Sequence, residues 1–243
     1  MSLLSLILQI AGPIFFMSMQ VSYLNTSYKI YIKKQVGGLS PIPFLSLMTN
    51  SAVWSLYGSL KSDETIFVPN ATGLIAGFIC TVIYHHNSTL GIPGHLYFIS
   101  ASIIIFTIIC GIAGDQEIIG SFGVCLAVFL MGSPLSTLRT VINERSTSSL
   151  PFFTSLTTFG NALSWSLYGL IIAHDPMVYI PNLLGLLLAI FQLILFVIFG
   201  FAKDTAIDDN DRFFSTPSTE VTPIKHVTGN AIYNPLPLKA DRV

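Results

Sequence analysis

Charge is scarce in this chain of 243 residues: Asp, Glu, Lys and Arg together make up 9% of it. Soluble globular domains carry about 25%, so an ordinary solvated domain is excluded. The few charges are also balanced, with 11 Lys and Arg against 12 Asp and Glu. That excludes a strongly basic nucleic-acid binder. Cysteine is equally sparse. Cys80, Cys110 and Cys125 each lie inside an apolar run, which reads as three small buried hydrophobes and not as a disulfide scaffold. No Gly-rich phosphate loop, nucleophile elbow or metal motif occurs. His85, His86 and His95 stand near span ends without a carboxylate or Cys cluster. No enzymatic activity, cofactor or metal is therefore expected. Apolar residues, by contrast, make up 52% of the chain. The class that remains is an all-α polytopic membrane protein, with the lipid bilayer as its solvent.

Seven segments contain no Asp, Glu, Lys or Arg: 3–24, 39–60, 65–84, 96–114, 118–138, 150–173 and 176–202. Each is long enough to cross a hydrocarbon core of about 30 Å as a helix. The first lacks the basic flank of a signal peptide and is followed by six similar spans, so it reads as a retained helix. Lys29, Lys33, Lys34, Arg139 and Arg145 follow spans 1 and 5, and Lys203 follows span 7. The opposite loops carry Lys61 with Asp63, Glu64, Asp115, Glu117 and Asp175. The positive-inside rule then places the N-terminus outside or in a lumen and the C-terminus in the cytosol. The plasma membrane is favoured, with an endomembrane as the alternative. The sequon Asn87-Ser88-Thr89 is cytosolic in this topology and should carry no glycan. Residues 203–243 turn to Asp, Ser, Thr, Pro and Asn and are expected to form a disordered cytosolic tail. Thr216-Pro217 and Thr222-Pro223 are phosphorylation candidates within it, beside the simpler reading of a solvated end.

The chain also repeats itself. Trp54-Ser55-Leu56-Tyr57-Gly58 recurs as Trp165-Ser166-Leu167-Tyr168-Gly169, Pro43-Phe44 as Pro151-Phe152, and the Pro69-Asn70-x-x-Gly73 pattern as Pro181-Asn182-x-x-Gly185. The offset between copies is a little shorter for Pro-Phe than for the tryptophan motif and one residue longer for Pro-Asn. Order is kept while element lengths drift. This is a duplicated three-helix unit. The first unit spans 1–86 and the second 118–202, with the fourth helix in an unmatched linker, 87–117. Three crossings alone would invert the second unit; the extra helix restores its orientation. The expected architecture is two parallel three-helix bundles joined by a linker helix, 3+1+3, with substrate near the midplane at the repeat interface.

These motifs resemble the SWEET sugar transporter family (MtN3/saliva type) in its seven-helix, two-repeat form, over residues 3 to about 202. Pro-Phe, Trp-x-x-Tyr-Gly and Pro-Asn-x-x-Gly occur once in each half, and Ser133-Pro134-Leu135, Arg145-Ser146-Thr147 and Asp175-Pro176 match further landmarks. The resemblance implies a facilitative, bidirectional uniporter that moves a mono- or disaccharide down its gradient by alternating access.

A sugar offers hydroxyls all round and apolar C–H faces. Asn70 and Asn182, each in an apolar span right after a proline, present amide donors and acceptors suited to vicinal hydroxyls. The plainer reading is an interhelical hydrogen bond; the twofold recurrence and the resemblance favour the sugar. Trp54 and Trp165 are the only tryptophans. Their spacing suits an interfacial belt, whereas the resemblance makes them plates bounding the sugar. Asn50 and Asn161 stand four residues earlier, on the same helical face and one turn deeper, where family members place pocket residues. The resemblance also implies that Phe129 narrows the pocket and favours a monosaccharide. It further places Tyr57, Tyr168 and Asp175 at an outer vestibule or gate. Headgroup anchoring of the tyrosines and an exposed loop carboxylate are the alternatives. Family members tend to carry four prolines near the cytosolic ends of helices. Pro43, Pro134 and Pro151 match three of them, and Tyr23 stands in the place of the fourth. A proline removes a backbone hydrogen bond and kinks its helix, which suits a hinge; at helix starts it serves equally as plain capping geometry.

Other classes share parts of this pattern. A PQ-loop carrier of another small solute should show Pro-Gln hinges and acidic residues in its helices, and this chain has neither. A seven-helix receptor would not be built of matched halves. A trafficking protein of the same fold, and assembly into a homo-oligomer, are left open by the sequence.

Overall fold

The computed structural model describes residues 3–201; the expected disordered tail, with its two Thr-Pro sites, lies outside the described residues. All secondary structure described is helical: α1 (Leu3–Lys33), α2 (Ile42–Leu60), α3 (Glu64–Asn87), α4 (Gly94–Ile112), α5 (Gln116–Leu130), α6 (Gly132–Glu144), α7 (Phe152–Leu167) and α8 (Pro176–Phe199). α5 and α6 are two parts of one span, and α7 runs on through a π turn, Tyr168–Ile172. The molecule is thus a seven-helix membrane protein. Five of these segments are long and apolar enough to span a bilayer by themselves: α1, α3, α4, α5 with α6, and α8. α2 and α7 are not among them. α2 is diluted by Ser46, Thr49, Asn50, Ser51, Ser55 and Ser59, and α7 is only 16 residues long. These two are the repeat-related helices that carry Asn50 with Trp54 and Asn161 with Trp165.

Three boundaries differ from the charge-free runs, each for a physical reason. α1 does not end near Leu24. Nothing in Asn25-Thr26-Ser27 breaks a helix, and Ser27 and Ile30 are fully buried against the first bundle. The fifth span is interrupted at Met131, three residues before Pro134, where the proline ring cannot continue the hydrogen-bond ladder. The third difference explains the drifting offset. Gly58 to Asp63 is five residues, whereas Gly169 to Asp175 is six. The extra residue is absorbed as the π turn: Ala173 N–H donates to the Tyr168 carbonyl at 3.0 Å, where the first half has Lys61 N–H on Tyr57 at 3.0 Å.

After that turn the register is regained. Ser62 and His174 hold equivalent places in the two halves, and both adopt left-handed backbone, with φ of 55° and 50°. Asp63 and Asp175 follow them as helix N-caps, accepting from Ile66 N–H at 3.2 Å and Met177 N–H at 3.0 Å. α2 and α3 approach so closely that a Cβ on Gly58 would lie 2.7 Å from the Phe67 amide nitrogen. The equivalent approach of Gly169 to the Tyr179 nitrogen is 2.8 Å.

α1 and α2 pack on α3, while α5, α6 and α7 pack on α8; α4 lies against α2 and α5. The bundles meet through α1 on α7 and α2 on α5, a pair of contacts that the repeat exchanges. At the end carrying Asp63, Asp115 and Asp175, here the acidic end, one apolar core is shared by both bundles: Val53, Tyr57, Ile66, Ile119, Trp165, Tyr168 and Val178. At the basic end the cores are separate. Ile30, Phe44, Leu45, Cys80 and Tyr84 serve the first bundle, and Leu138, Val141, Leu150, Leu195 and Phe196 the second. The bundles are joined at one end and independently packed at the other.

Candidate transport site

A cavity of about 360 Å³ lies between the bundles, within the roughly 300–1,000 Å³ typical of small-molecule sites. Its walls follow the repeat. Phe16 and Ala127, Met19 and Leu130, Asn50 and Asn161, and Trp54 and Trp165 line it as pairs that share one sequence offset. Ile66 with Val178 and Asn70 with Asn182 are pairs set one residue further apart. From Val178 the lining continues along α8 to Gln192, about 21 Å at 1.5 Å per residue. No Asp, Glu, Lys, Arg or His is among the lining residues.

The amides are not equivalent. Asn70 Nδ2 donates to the Ile66 carbonyl at 2.8 Å and Asn182 Nδ2 to the Val178 carbonyl at 2.7 Å, which orients each side chain and leaves a second N–H and the Oδ1 oxygen for a ligand. Asn50 Oδ1 and Asn161 Oδ1 are buried and accept no hydrogen bond from the protein. A buried acceptor without a donor is costly; both side chains belong to the cavity wall, with these two oxygens turned away from its accessible space.

Each indole rests on a glycine of the other bundle. A Cβ on Gly12 of α1 would lie 3.0 Å from the Trp165 ring, and one on Gly123 of α5 would lie 3.1 Å from Trp54. Edge-on contacts then link each indole to its tyrosine, Trp54 to Tyr57 at 5.5 Å and Trp165 to Tyr168 at 5.7 Å between centroids. The tyrosines cross between bundles. Tyr57 Oη donates to Asp175 Oδ2 at 2.6 Å, and Tyr168 Oη to Asp63 Oδ2 at 2.6 Å. Lys61 adds an ion pair to Asp175 Oδ2 at 3.4 Å. Two reciprocal hydrogen bonds thus close the acidic end above the indoles.

Asn50, Trp54, Asn70, Asn161, Trp165 and Asn182 all lie on this one cavity, and Pro134 lines it beside the break in the fifth span. Phe129 does not. Its side chain is 81% exposed, because residues 127, 130, 131 and 134 form the inner face of α5–α6 and position 129 falls on the outer one. Tyr57 and Tyr168 are only 1% and 4% exposed, buried in the inter-bundle closure. Asp175 is 7% exposed, so the exposed-loop alternative is corrected too: its tyrosine and lysine partners make its burial tolerable. Pro43 is the second residue of α2 and Pro151 the N-cap of α7, both at helix starts. Tyr23 packs edge-on against Phe44 at 6.2 Å, in the basic-end core of the first bundle. The offset that relates the two tryptophans maps it onto Pro134. Asp63, the second carboxylate of the closure, was not singled out from the sequence. Its signal was present, since Asp63 and Asp175 share the offset of Asn70 and Asn182.

The family model described as "Sugar efflux transporter for intercellular exchange" matches this chain twice, over residues 6–89 and 117–204. The chain belongs to the SWEET family. α4 lies in the stretch between the two matches. Among the curated SWEETs, the chain is 31% identical over 196 residues to "Bidirectional sugar transporter SWEET14" of Arabidopsis thaliana, covering 76% of this chain and 69% of that protein. It is also 31% identical over 175 residues to "Sugar transporter SWEET1" of Drosophila pseudoobscura pseudoobscura, covering 69% and 77%. A eukaryotic SWEET transporter solved at 3.7 Å resolution has the same fold, with a TM-score of 0.68, 21% identity, and coverage of 80% of this chain and 96% of that one.

Proposed function

We propose that this chain is a facilitative, bidirectional uniporter that carries a mono- or disaccharide by alternating access between its two bundles. The observation that supports this best is the cavity: two pairs of amides and two indoles, arranged by the repeat and closed at one end by bonds between the halves. Asn50, Asn70, Asn161 and Asn182 would hold hydroxyls, and Trp54 and Trp165 would cover the apolar sugar faces. Tyr57 with Asp175 and Tyr168 with Asp63 would form the outer gate. The break at Met131–Pro134, with Pro43 and Pro151, would flex at the inner end, while Tyr23 keeps its backbone hydrogen bond and supplies no hinge in α1. Phe129 faces away from the cavity and gives no support for a monosaccharide, and a cavity of about 360 Å³ has room for either sugar size. The basic end, with Lys29, Lys33, Lys34, Arg139 and Arg145, is assigned to the cytosol.

Radiolabelled glucose and sucrose uptake in transport-deficient cells tests this reading against an Asn182→Ala variant. Uptake of one or both sugars by the natural chain, lost in the variant at unchanged surface expression, is expected. Uptake of neither would overturn the sugar reading. Normal transport by Asn182→Ala would overturn the site.

A further inference from the structure

A second cavity, of about 650 Å³, opens sideways between α5–α6 and α8. Leu135, Leu184, Leu187 and Phe191 are among its walls and are all substantially exposed; in a membrane helix bundle such a face meets lipid tails. The only charged wall residue is Arg139, one turn beyond Leu135 on α6, with Asn143 one turn further. Among the described residues, no carboxylate pairs with Arg139. From Val128, the wall residue deepest in the span, to Arg139 the helix rises about 16 Å. That is half of a hydrocarbon core of about 30 Å. The groove therefore runs one leaflet deep, apolar along its length and cationic at its mouth.

The first helix of the other half is unbroken at the equivalent place. On α1, Gln20 occupies the repeat position of Met131 and donates from Nε2 to the Pro69 carbonyl of α3 at 2.7 Å. Ser27 and Ile30 are fully buried further along the same helix. In the second half Met131 offers no such bond, and the span is interrupted there before Pro134. Arg139 stands where α1 has Tyr28.

We propose that this groove binds one anionic phospholipid of the leaflet at the basic end. The phosphate sits on the Arg139 guanidinium, whose planar fork matches phosphate oxygens, Asn143 donates to the headgroup, and an acyl chain lies along the leucines. Basic pockets between membrane helices on this side of a bilayer suit anionic headgroups in general. The single cation, the aliphatic walls and the one-leaflet length favour a lipid over a second copy of the chain. Met131 and Leu188 line this groove and the central cavity alike, so an occupied groove bears directly on the flexible point of the fifth span.

The test is native mass spectrometry of the full chain released from phosphatidylcholine vesicles containing a minority of phosphatidylglycerol. The natural chain should retain one phosphatidylglycerol. Arg139→Gln should lower that fraction about fivefold, the factor that one basic residue contributes at an anionic surface. Leu187→Trp, which enlarges a side chain already 64% exposed, should fill the groove and have the same effect. Lys34→Gln, at the same end but just past α1, should retain the lipid. Equal loss in Lys34→Gln would reduce the effect to diffuse surface charge and overturn the site. So would equal retention of both lipids by the natural chain, or a lipid-free dimer that Leu187→Trp dissociates. None of these outcomes depends on which solute is transported.

Discussion

Asn50 and Asn161 carry buried carbonyl oxygens that the protein leaves without donors, and on the proposed reading the sugar supplies those donors once the pocket opens. An unsatisfied buried acceptor costs a fold about 1–3 kcal/mol. Replacing either residue by Ala should therefore leave thermal stability unchanged or raise it, while weakening sugar binding about tenfold for a lost bond of ~1.4 kcal/mol. Melting temperature and sugar affinity of the purified variants check both halves of this expectation. A fall in stability with unchanged affinity would mean that the two oxygens serve the protein and not the ligand. The amides and indoles were legible in the sequence because each occurs twice, in order and in register. Phe129 misled because resemblance fixes a position along the chain, while the face it occupies depends on about 100° of rotation per residue. Asp63 was overlooked for the opposite reason: a carboxylate beside Glu64 in a short loop reads as solvated until the tyrosine of the other half is seen to reach it.

At the scale of elements, absence of charge marked where the chain meets hydrocarbon but not where helices end. α1 runs through Lys29 to Lys33 because basic side chains near a membrane surface do not break a helix. The interruption within the fifth span follows from Pro134 and was visible as a proline, though not as a break three residues ahead of it. The one-residue drift in the repeat offset was visible only as arithmetic; the structure gives it a cause in the π turn. A consequence follows for deletions. Removing Ile172 should turn the π turn into an α turn and give the second half the spacing of the first, leaving the Tyr168–Asp63 and Tyr57–Asp175 bonds able to form and transport largely intact. Removing Ile180 instead should rotate Asn182 by about 100° relative to Asp175 and abolish transport. Uptake by the two deletion variants at matched surface expression decides it. Equal loss in both would show that the π turn is itself required.

Across the whole molecule, one shared core and two reciprocal hydrogen bonds hold the acidic end shut while the basic ends pack apart. Hydrogen bonds to charged groups are worth about 1.5–3 kcal/mol. Tyr168→Phe should therefore expose the cavity to the acidic side about tenfold more often, measured as labelling of an Ile66→Cys variant by a membrane-impermeant thiol reagent. Tyr57→Phe should do less, because Lys61 still partners Asp175; unchanged labelling in both would remove these tyrosines from the gate. The same geometry bears on driving force. A coupled proton must be taken up on one side and released on the other, through a group that faces each side in turn. No titratable side chain lines the cavity. Asp63 and Asp175 lie at its acidic end, above the indoles, so when the closure opens they meet water on that side and when it shuts they are covered by Tyr57 and Tyr168. Neither carboxylate is placed to face both sides in turn, so on the proposed reading nothing couples a pH gradient to sugar movement. In liposomes with equal sugar on both sides, an imposed pH gradient should thus produce no net accumulation, whereas a sugar gradient alone should drive flux in either direction. Accumulation against the sugar gradient would require a proton path through the central cavity that these walls do not provide, and would overturn the uniporter.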